Sequence, residues 1–274
     1  MMNVRTSCLL VVFLLALALA PPAAAVQGCS TAMLSGNYGL QFSGTYAPAL
    51  TSNVGGVKVA KLKPAQMGSG PVAGIARLYL DGNGSVNGYS AVDAQGSWVQ
   101  GNVTGSYTVN QDCTAALVLT DDSGDTENYG GVVVNAGESM IVVETDPGAA
   151  VSGAMRPARG NCQTSDMAGT FGIQASGSDA NGTFSSTGVV ALDGLGDATA
   201  AEWRLSGASY SPVASVGSFA INPDCSSALA LTSQVDGSTL NYFGLIVYQQ
   251  TGIPQLWLVR SDAGAAVTGT VTAQ

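Results

Sequence analysis

Few side chains in this chain could do acid–base or nucleophilic chemistry. The 274 residues include no histidine, which excludes Ser-His-Asp and Cys-His catalysis and histidine-ligated zinc or copper. A glycosidase would need two carboxylates, one of them held protonated in an apolar site. The glutamates available are Glu127, Glu138, Glu144 and Glu202. Carboxylates in a strand-rich sequence are more often solvated or at a rim, so we expect no enzymatic activity and no cofactor.

An acidic segment, DDSGDTEN, offers the best candidate for a metal site. Oxygen ligands clustered on a turn can hold Ca²⁺, and the candidate ligands are Asp121, Asp122, Asp125 and Glu127. The spacing departs from the EF-hand pattern, because Gly124 comes before the third acid instead of after it. A solvated hairpin turn is therefore the favoured interpretation, and calcium binding is the alternative.

All the lysines of the chain lie in one segment, TSNVGGVKVAKLKPAQMGSG (51–70). Lys58, Lys61 and Lys63 are therefore candidates for attracting an anionic ligand or partner to an otherwise acidic protein. Long connections inside compact β domains are usually functional or disordered. A mobile, solubilising loop is the favoured interpretation of this insert. The alternative is a lid, because in a lipocalin-like barrel this first connection would lie over the open end.

The elements that would position these residues occur twice, because the chain contains an internal duplication. The matching segments are CSTAMLSGNYGLQFSG (29–44) with CQTSDMAGTFGIQASG (162–177), LDGNGS (80–85) with LDGLGD (192–197), and GSYTVNQDCTAALVLT (105–120) with GSFAINPDCSSALALT (217–232). Their order is kept, which indicates a duplicated domain and not a short-period solenoid. We place the two domains at 26–157 and 158–274, with the insert at 51–70 in the first.

Residues 1–25 have the pattern of a secretory signal peptide. Arg5 precedes an apolar run that is too short to span a bilayer, and alanines precede the expected cleavage after Ala25. We therefore predict export to the cell exterior or the periplasm, with no transmembrane segment in the mature chain. Lipid anchoring through an acylated Cys29 is the alternative. The net charge of −9 argues against nucleic acid as a partner, since binding it requires clustered cations.

Four cysteines follow the signal peptide, two in each repeat. Four cysteines allow three pairings, but only Cys29–Cys113 together with Cys162–Cys225 follows the duplication. Disulfides form and persist in oxidising compartments, so each is expected to tie the start of a repeat to its DC segment. Acylation of Cys29 would leave Cys113 unpaired, which favours ordinary cleavage.

Each repeat consists of short segments rich in Val, Ile, Thr and Tyr that Gly, Asp and Asn separate. Asp81-Gly82 and Asp193-Gly194 suit hairpin turns, which need residues that tolerate positive φ. Eight segments joined by short turns favour an antiparallel meander that closes on itself, because closure removes exposed edges. The predicted fold is all-β: two tandem up-and-down, lipocalin-like barrels of about eight strands each. In the first repeat the segments are GNYGLQFSG, VAGIARLYL, SVNGYSAV, GSYTVN, AALVLTD, NYGGVVVN, SMIVVET and AVSGAM.

Two short motifs and one long pattern resemble known families. Gly36-Asn37-Tyr38 and Gly169-Thr170-Phe171 resemble the Gly-x-Trp element that opens the first strand of lipocalins and avidins, and the stretch from Trp257 to Ser261 is similar to an avidin strand. Nearly the whole mature chain resembles uncharacterised secreted bacterial proteins built from SGxYxF…DGxGxV…GxYTVnxDC units. That resemblance implies a barrel-like fold and no assigned activity.

These patterns together predict a secreted, non-enzymatic binding protein. Tyr38, Leu40 and Phe42 form one apolar strand face, and an eight-stranded barrel can hold one small ligand. We expect a small apolar or anionic ligand, with Tyr38, Phe42 and Trp257 as further candidate binding residues. GLIVY and SMIVVE, apolar on both faces, favour the alternative of a self-associating structural or adhesive protein. A protease inhibitor that presents 51–70 is a further alternative.

Overall fold

The computed structural model describes residues 28–47, 69–94, 96–206, 209–248 and 252–274. The strands in these ranges close into two antiparallel barrels in tandem, in which each strand pairs with its neighbours in sequence and the last pairs with the first. The predicted all-β fold of two eight-stranded up-and-down barrels is therefore confirmed. The same residues contain no helix long and apolar enough to cross a membrane.

The first eight strands form barrel 1. They are β1 Ser35–Tyr46, β2 Gly70–Asp81, β3 Ser85–Ala94, β4 Ser97–Val109, β5 Thr114–Asp121, β6 Thr126–Val134, β7 Ser139–Glu144 and β8 Ala149–Pro157. The other eight form barrel 2. They are β9 Gly169–Asp179, β10 Gly182–Leu192, β11 Asp197–Ser206, β12 Ser209–Ile221, β13 Ser226–Ser233, β14 Thr239–Tyr248, β15 Pro254–Arg260 and β16 Ala266–Ala273. Short 3-10 helices cover Thr31–Met33, Asn135–Gly137 and Thr164–Met167.

Alternation of side chains decides which residues fill each barrel. Successive side chains of a strand point to opposite faces of the sheet, and in β1 the alternate residues Tyr38, Leu40 and Phe42 are buried in the core of barrel 1. In barrel 2 the matching Phe171 and Ile173 are buried as well. The apolar face predicted for the first strand of each repeat is thus the interior face.

The hairpin turns predicted at the two Asp-Gly pairs are confirmed. Asp81 Oδ1 accepts hydrogen bonds from the backbone N–H groups of Asn83 (2.7 Å) and Ser85 (2.9 Å). Gly82 has φ +80°, a left-handed conformation that costs glycine little because it has no Cβ. Asp193 makes the same kind of turn in barrel 2, where its Oδ1 accepts from Leu195, Gly196 and Asp197.

Both predicted disulfides are present. Cys29 is bonded to Cys113 and Cys162 to Cys225, so each bridge joins the segment before a first strand to the turn between the fourth and fifth strands. A cysteine in a disulfide cannot also carry a thioether-linked lipid, which argues against the acylation alternative at Cys29. Disulfides are typical of oxidising compartments; export itself remains a prediction.

The outer face of β1 packs against barrel 2. The Gln41 side chain donates hydrogen bonds to the backbone oxygens of Leu258 (2.9 Å) and Gly269 (3.0 Å). Gly39 faces Val247 so closely that an added Cβ would lie 2.5 Å from its Cγ1 atom. Barrel 1 therefore covers the outer face of the GLIVY strand. The outer face of SMIVVE is not covered, since Ile141 is 57% exposed.

Candidate functional site

A cavity of about 270 Å³ lies inside barrel 1 at one end. The residues around it come from the end of β1, the middle of β2, the second half of β3, the first half of β4, the end of β5, the β5–β6 turn, the start of β6 and the end of β7. This is the end at which the β1–β2 connection leaves the barrel. The Cys29–Cys113 bridge is attached at the opposite end, so the cavity and the disulfide occupy different ends of the same barrel.

The inner part of the cavity wall is apolar. The side chains of Phe42, Ala76, Val92, Val103 and Leu119 line it, and all of them lie on the inward faces of their strands. Phe42 takes its position because Gly74, the opposite residue on β2, has no side chain where the ring lies. Ligand pockets typically combine such an apolar wall with a few placed polar groups.

The polar part of the wall includes two carboxyl groups that accept hydrogen bonds from tyrosines. The Tyr46 hydroxyl donates to Glu144 Oε2 at 3.0 Å, and the Tyr129 hydroxyl donates to Glu127 Oε2 at 2.7 Å. Glu144 is only 8% exposed. Both carboxyl groups therefore have fixed orientations at the edge of the apolar wall.

Burial changes the acid–base behaviour of both groups. The pKa of Glu144 is raised to about 7. Desolvation is the main cause, and the negative charge of Glu127 is the second. Desolvation likewise raises the pKa of Glu127, against the lowering effect of the Tyr129 hydrogen bond. Burial of a carboxyl group disfavours its charged form. Near neutral pH, Glu144 therefore carries a charge that barrel 1 stabilises poorly.

Residues 122–125 of the acidic DDSGDTEN segment form the β5–β6 turn at the mouth of the cavity, whereas Glu127 lies in β6 and belongs to the cavity wall. Asp121 Oδ1 accepts from the backbone N–H groups of Ser123 (2.9 Å) and Asp125 (2.8 Å). Asp122 Oδ2 accepts from the backbone N–H of Asn102 at 2.8 Å. Among the described residues, no group of three or more acidic or cysteine side chains has a geometry suited to a metal ion.

The remaining candidate residues lie in different places. Phe42 lines the cavity, whereas Tyr38 is buried nearer the other end of β1. Trp257 is buried between the barrels, where the Arg156 guanidinium carbon lies 5.6 Å from its ring centroid. Trp257 therefore does not reach the cavity. Lys58, Lys61, Lys63 and the insert as far as residue 68 fall outside the described residues.

Sequence reasoning did not select Glu144 as a binding residue, although its position carried a signal. In SMIVVE, Met140 and Val142 share the face of Glu144, and all three are buried. A glutamate that continues an inward apolar alternation is predicted to face the barrel interior. That signal distinguishes Glu144 from a solvated carboxylate at a rim.

No protein-family model matches the chain, and no curated protein matches it. One solved structure, Aeromonas veronii immune modulator A, aligns with 87% of this chain and 93% of that chain, at 12% sequence identity and a TM-score of 0.28. A similarity this low carries no argument about function. The resemblance to secreted bacterial β-repeat proteins stays a prediction.

Proposed function

We propose that this protein is a non-enzymatic binding protein that holds one small ligand with an apolar body in barrel 1. The observation that supports this function is the cavity itself: about 270 Å³ inside a closed barrel, with an apolar inner wall and carboxyl groups at its mouth. The volume is slightly below the range of about 300–1,000 Å³ for ligand pockets, which points to a ligand the size of a single ring or a short chain.

The sequence predicted a small apolar or anionic ligand, and the acidic side of the cavity argues against the anionic one. Glu127, Glu144 and Asp146 belong to its wall, and their charges would repel an anionic group inside the barrel. The lysines that favoured an anion fall outside the described residues. We therefore propose a ligand whose apolar part occupies the inner wall and that carries no negative charge.

Binding of 2-phenylethanol, a neutral probe, tests this proposal. We expect saturable binding by isothermal titration calorimetry, with amide chemical-shift changes in solution NMR confined to strands β1 to β7 around the cavity. Gly101 lies on the wall, and a Cβ there would have only Asp122 Oδ2 close by, at 3.3 Å. Gly101→Leu should therefore fill part of the cavity and weaken binding, while the control Gly101→Ala should retain it. Identical binding by both variants, or no binding, would contradict the proposed site.

Native mass spectrometry of protein from its natural source provides an independent test. A native mass that exceeds the denatured, non-reduced mass by a discrete increment would reveal a small molecule that copurifies with the chain. Loss of that increment in Gly101→Leu would assign it to barrel 1. An increment that persists in this variant would place the ligand elsewhere.

Assembly between molecules is a second candidate function, and one observation favours it. Val132, Ile141 and Val143 are exposed by 46%, 57% and 51% on the outer face of β6 and β7. Paired strands place Val132 beside Ile141, so these side chains form a continuous apolar surface. Sedimentation velocity over a wide concentration range tests the idea: an assembly protein should associate, and Ile141→Lys should prevent it. A monomer at all concentrations would exclude this function.

A further inference from the structure

Barrel 2 carries an arginine at the position where barrel 1 carries Glu144. The strand register establishes the equivalence, because Tyr129 pairs with Glu144 in barrel 1 and Tyr242 pairs with Arg260 in barrel 2. Glu144 is 8% and Arg260 9% exposed. One wall position of the repeat is thus a buried cation in barrel 2 and a buried carboxyl group in barrel 1.

The charged groups inside barrel 2 neutralise one another. Arg260 Nε donates to Asp262 Oδ2 at 2.9 Å, and its Nη1 donates to Asp179 Oδ2 at 3.1 Å. Arg204 forms a second buried ion pair with Glu202, at 3.0 Å. Ion pairing is the usual way in which a protein tolerates buried charges. Barrel 2 therefore supplies both the acids and the cations of its interior.

Barrel 1 has no arginine at the second position either. Phe42 and Ala175 are equivalent in the two repeats, and they pair with Gly74 and Ser186. On the next strand Val92 pairs with Gly74 and Arg204 with Ser186, so Val92 occupies the place of Arg204. The described residues that line the cavity include no lysine and no arginine. In this part of barrel 1 the positions that hold Arg260 and Arg204 in barrel 2 therefore carry no cation, while Glu127, Glu144 and Asp146 line the cavity.

We propose that barrel 1 binds an organic cation, a protonated amine or guanidinium group on a small apolar body, in the place that arginine side chains occupy in barrel 2. This inference rests on the proposed function and names its ligand class. Glu144 Oε2 accepts the Tyr46 hydroxyl, and the Glu144 side chain belongs to the wall of the cavity beside Phe42. The Glu144 carboxylate is thus the acceptor for the ligand N–H group, and Phe42 packs against the apolar body.

The charge of the cavity selects this ligand class over others. A cation is attracted to a carboxylate more strongly in a partly desolvated site than in water, and charge-assisted hydrogen bonds are about twice as strong as neutral ones. An alcohol of the same shape gains the apolar contact and can donate one hydrogen bond, but it has no charge to pair with Glu144. A carboxylate of the same shape is repelled by Glu127 and Glu144. Affinity should therefore fall in the order amine, alcohol, carboxylate.

The test uses three probes of matched shape with the full-length mature protein: 2-phenylethylamine, 2-phenylethanol and phenylacetate. At about pH 8 we expect the amine to bind about tenfold or more tightly than the alcohol, and phenylacetate to show no binding. Glu144→Gln should remove that advantage and leave the affinity for the alcohol within about twofold. Glu138→Gln makes the same charge change before β7, at the other end of barrel 1, and should alter neither affinity.

A transplanted arginine provides a second, independent test. Val92→Arg places the residue type of barrel 2 into barrel 1, where it should compete with the amine and abolish its binding. Val92→Met adds volume without charge, so any loss of affinity in this control should be the same for amine and alcohol. Circular dichroism and intact disulfides confirm that both variants fold.

The outcomes separate the two proposals. Equal binding of amine and alcohol, with no effect of Glu144→Gln, would overturn the cation inference and leave the proposed function standing. Failure of every probe would overturn both.

Replacing Lys58, Lys61 and Lys63 with Gln tests whether the cations of the chain itself occupy the site. Amine binding that emerges only in this variant would overturn the proposal of a ligand, whereas unchanged binding supports it.

Discussion

Glu144→Gln should stabilise barrel 1 at alkaline pH and have little effect at acid pH. Burial, aided by the charge of Glu127, raises the pKa of Glu144 from 4.5 to about 7. A carboxyl group whose pKa is higher in the folded than in the unfolded protein makes folding less favourable when it is ionised. This cost is present in full above about pH 7, and it disappears as the pH falls towards 4.5. Gln carries no charge at any pH, so the variant never incurs the cost.

The magnitude follows from the size of the pKa difference. A rise from 4.5 to about 7 corresponds to an upper bound of about 3 kcal/mol in the free energy of unfolding. Because Glu144 faces a cavity at the mouth of the barrel, solvent screens part of this cost, and we expect roughly 1–2 kcal/mol at about pH 8. The Gln side chain can still accept the hydrogen bond of the Tyr46 hydroxyl, so no buried donor is left without an acceptor.

Urea denaturation followed by circular dichroism, at about pH 8 and about pH 5, measures the difference between variant and wild type. Hydrogen exchange of peptides from β1 and β7 assigns the change to barrel 1. Asp236→Asn is a control in which the free energy of unfolding should fall instead of rise. The reason is that backbone N–H donation from Ser238 lowers the pKa of Asp236 to about 2. That stabilisation is present above the unfolded pKa and is lost as the pH falls towards 2. A Glu144→Gln effect that is equal at both pH values would refute the reasoning.

Three further predictions concern the site and the fold. Affinity for 2-phenylethylamine should decrease between about pH 8 and pH 5, because Glu144 becomes protonated. The affinity for 2-phenylethanol, measured by the same calorimetry, should show no pH dependence. The other titratable groups around the cavity are Glu127, Asp121, Asp122, Asp125, Asp146 and Tyr46. Gly39→Ala should destabilise the contact between the barrels by about 1–3 kcal/mol, measured by urea denaturation. Its repeat equivalent Gly172→Ala should not, because the nearest atom to the added Cβ is 3.9 Å away. Removing the Cys29–Cys113 bridge with paired Ser substitutions should lower the urea midpoint by an amount that corresponds to about 2–5 kcal/mol, and an unchanged midpoint would contradict a stabilising role.

The strands, the turns and the disulfides could be predicted because their signals are local or are repeated. Alternation in GNYGLQFSG identified the interior face of β1, and Asp81-Gly82 identified a turn by its tolerance of positive φ. The duplication reduced three possible disulfide pairings to the one that is present. Each inference needed only neighbouring residues, or a comparison of one repeat with the other.

The candidate site was harder to predict, because the cavity depends on side chains from strands that are distant in the sequence. Phe42, Val103 and Glu144 meet at one wall only after the barrel has closed. Trp257 has the same apolar character as a pocket residue, yet barrel 1 packs over it. Sequence alone does not distinguish an aromatic side chain in a barrel interior from one between two barrels.

The amino-acid sequence by itself determined that the chain forms two eight-stranded barrels, each with its own disulfide. Period-two alternation, turn residues and the internal repeat specify the local backbone geometry and the pairing order. Only the tertiary structure decided how their charges are balanced. Closure of barrel 2 brings Arg260 against Asp179 and Asp262, whereas closure of barrel 1 leaves Glu144 beside an open volume. Ion pairing and cavity volume depend on three-dimensional distance, which residue order along the chain does not specify.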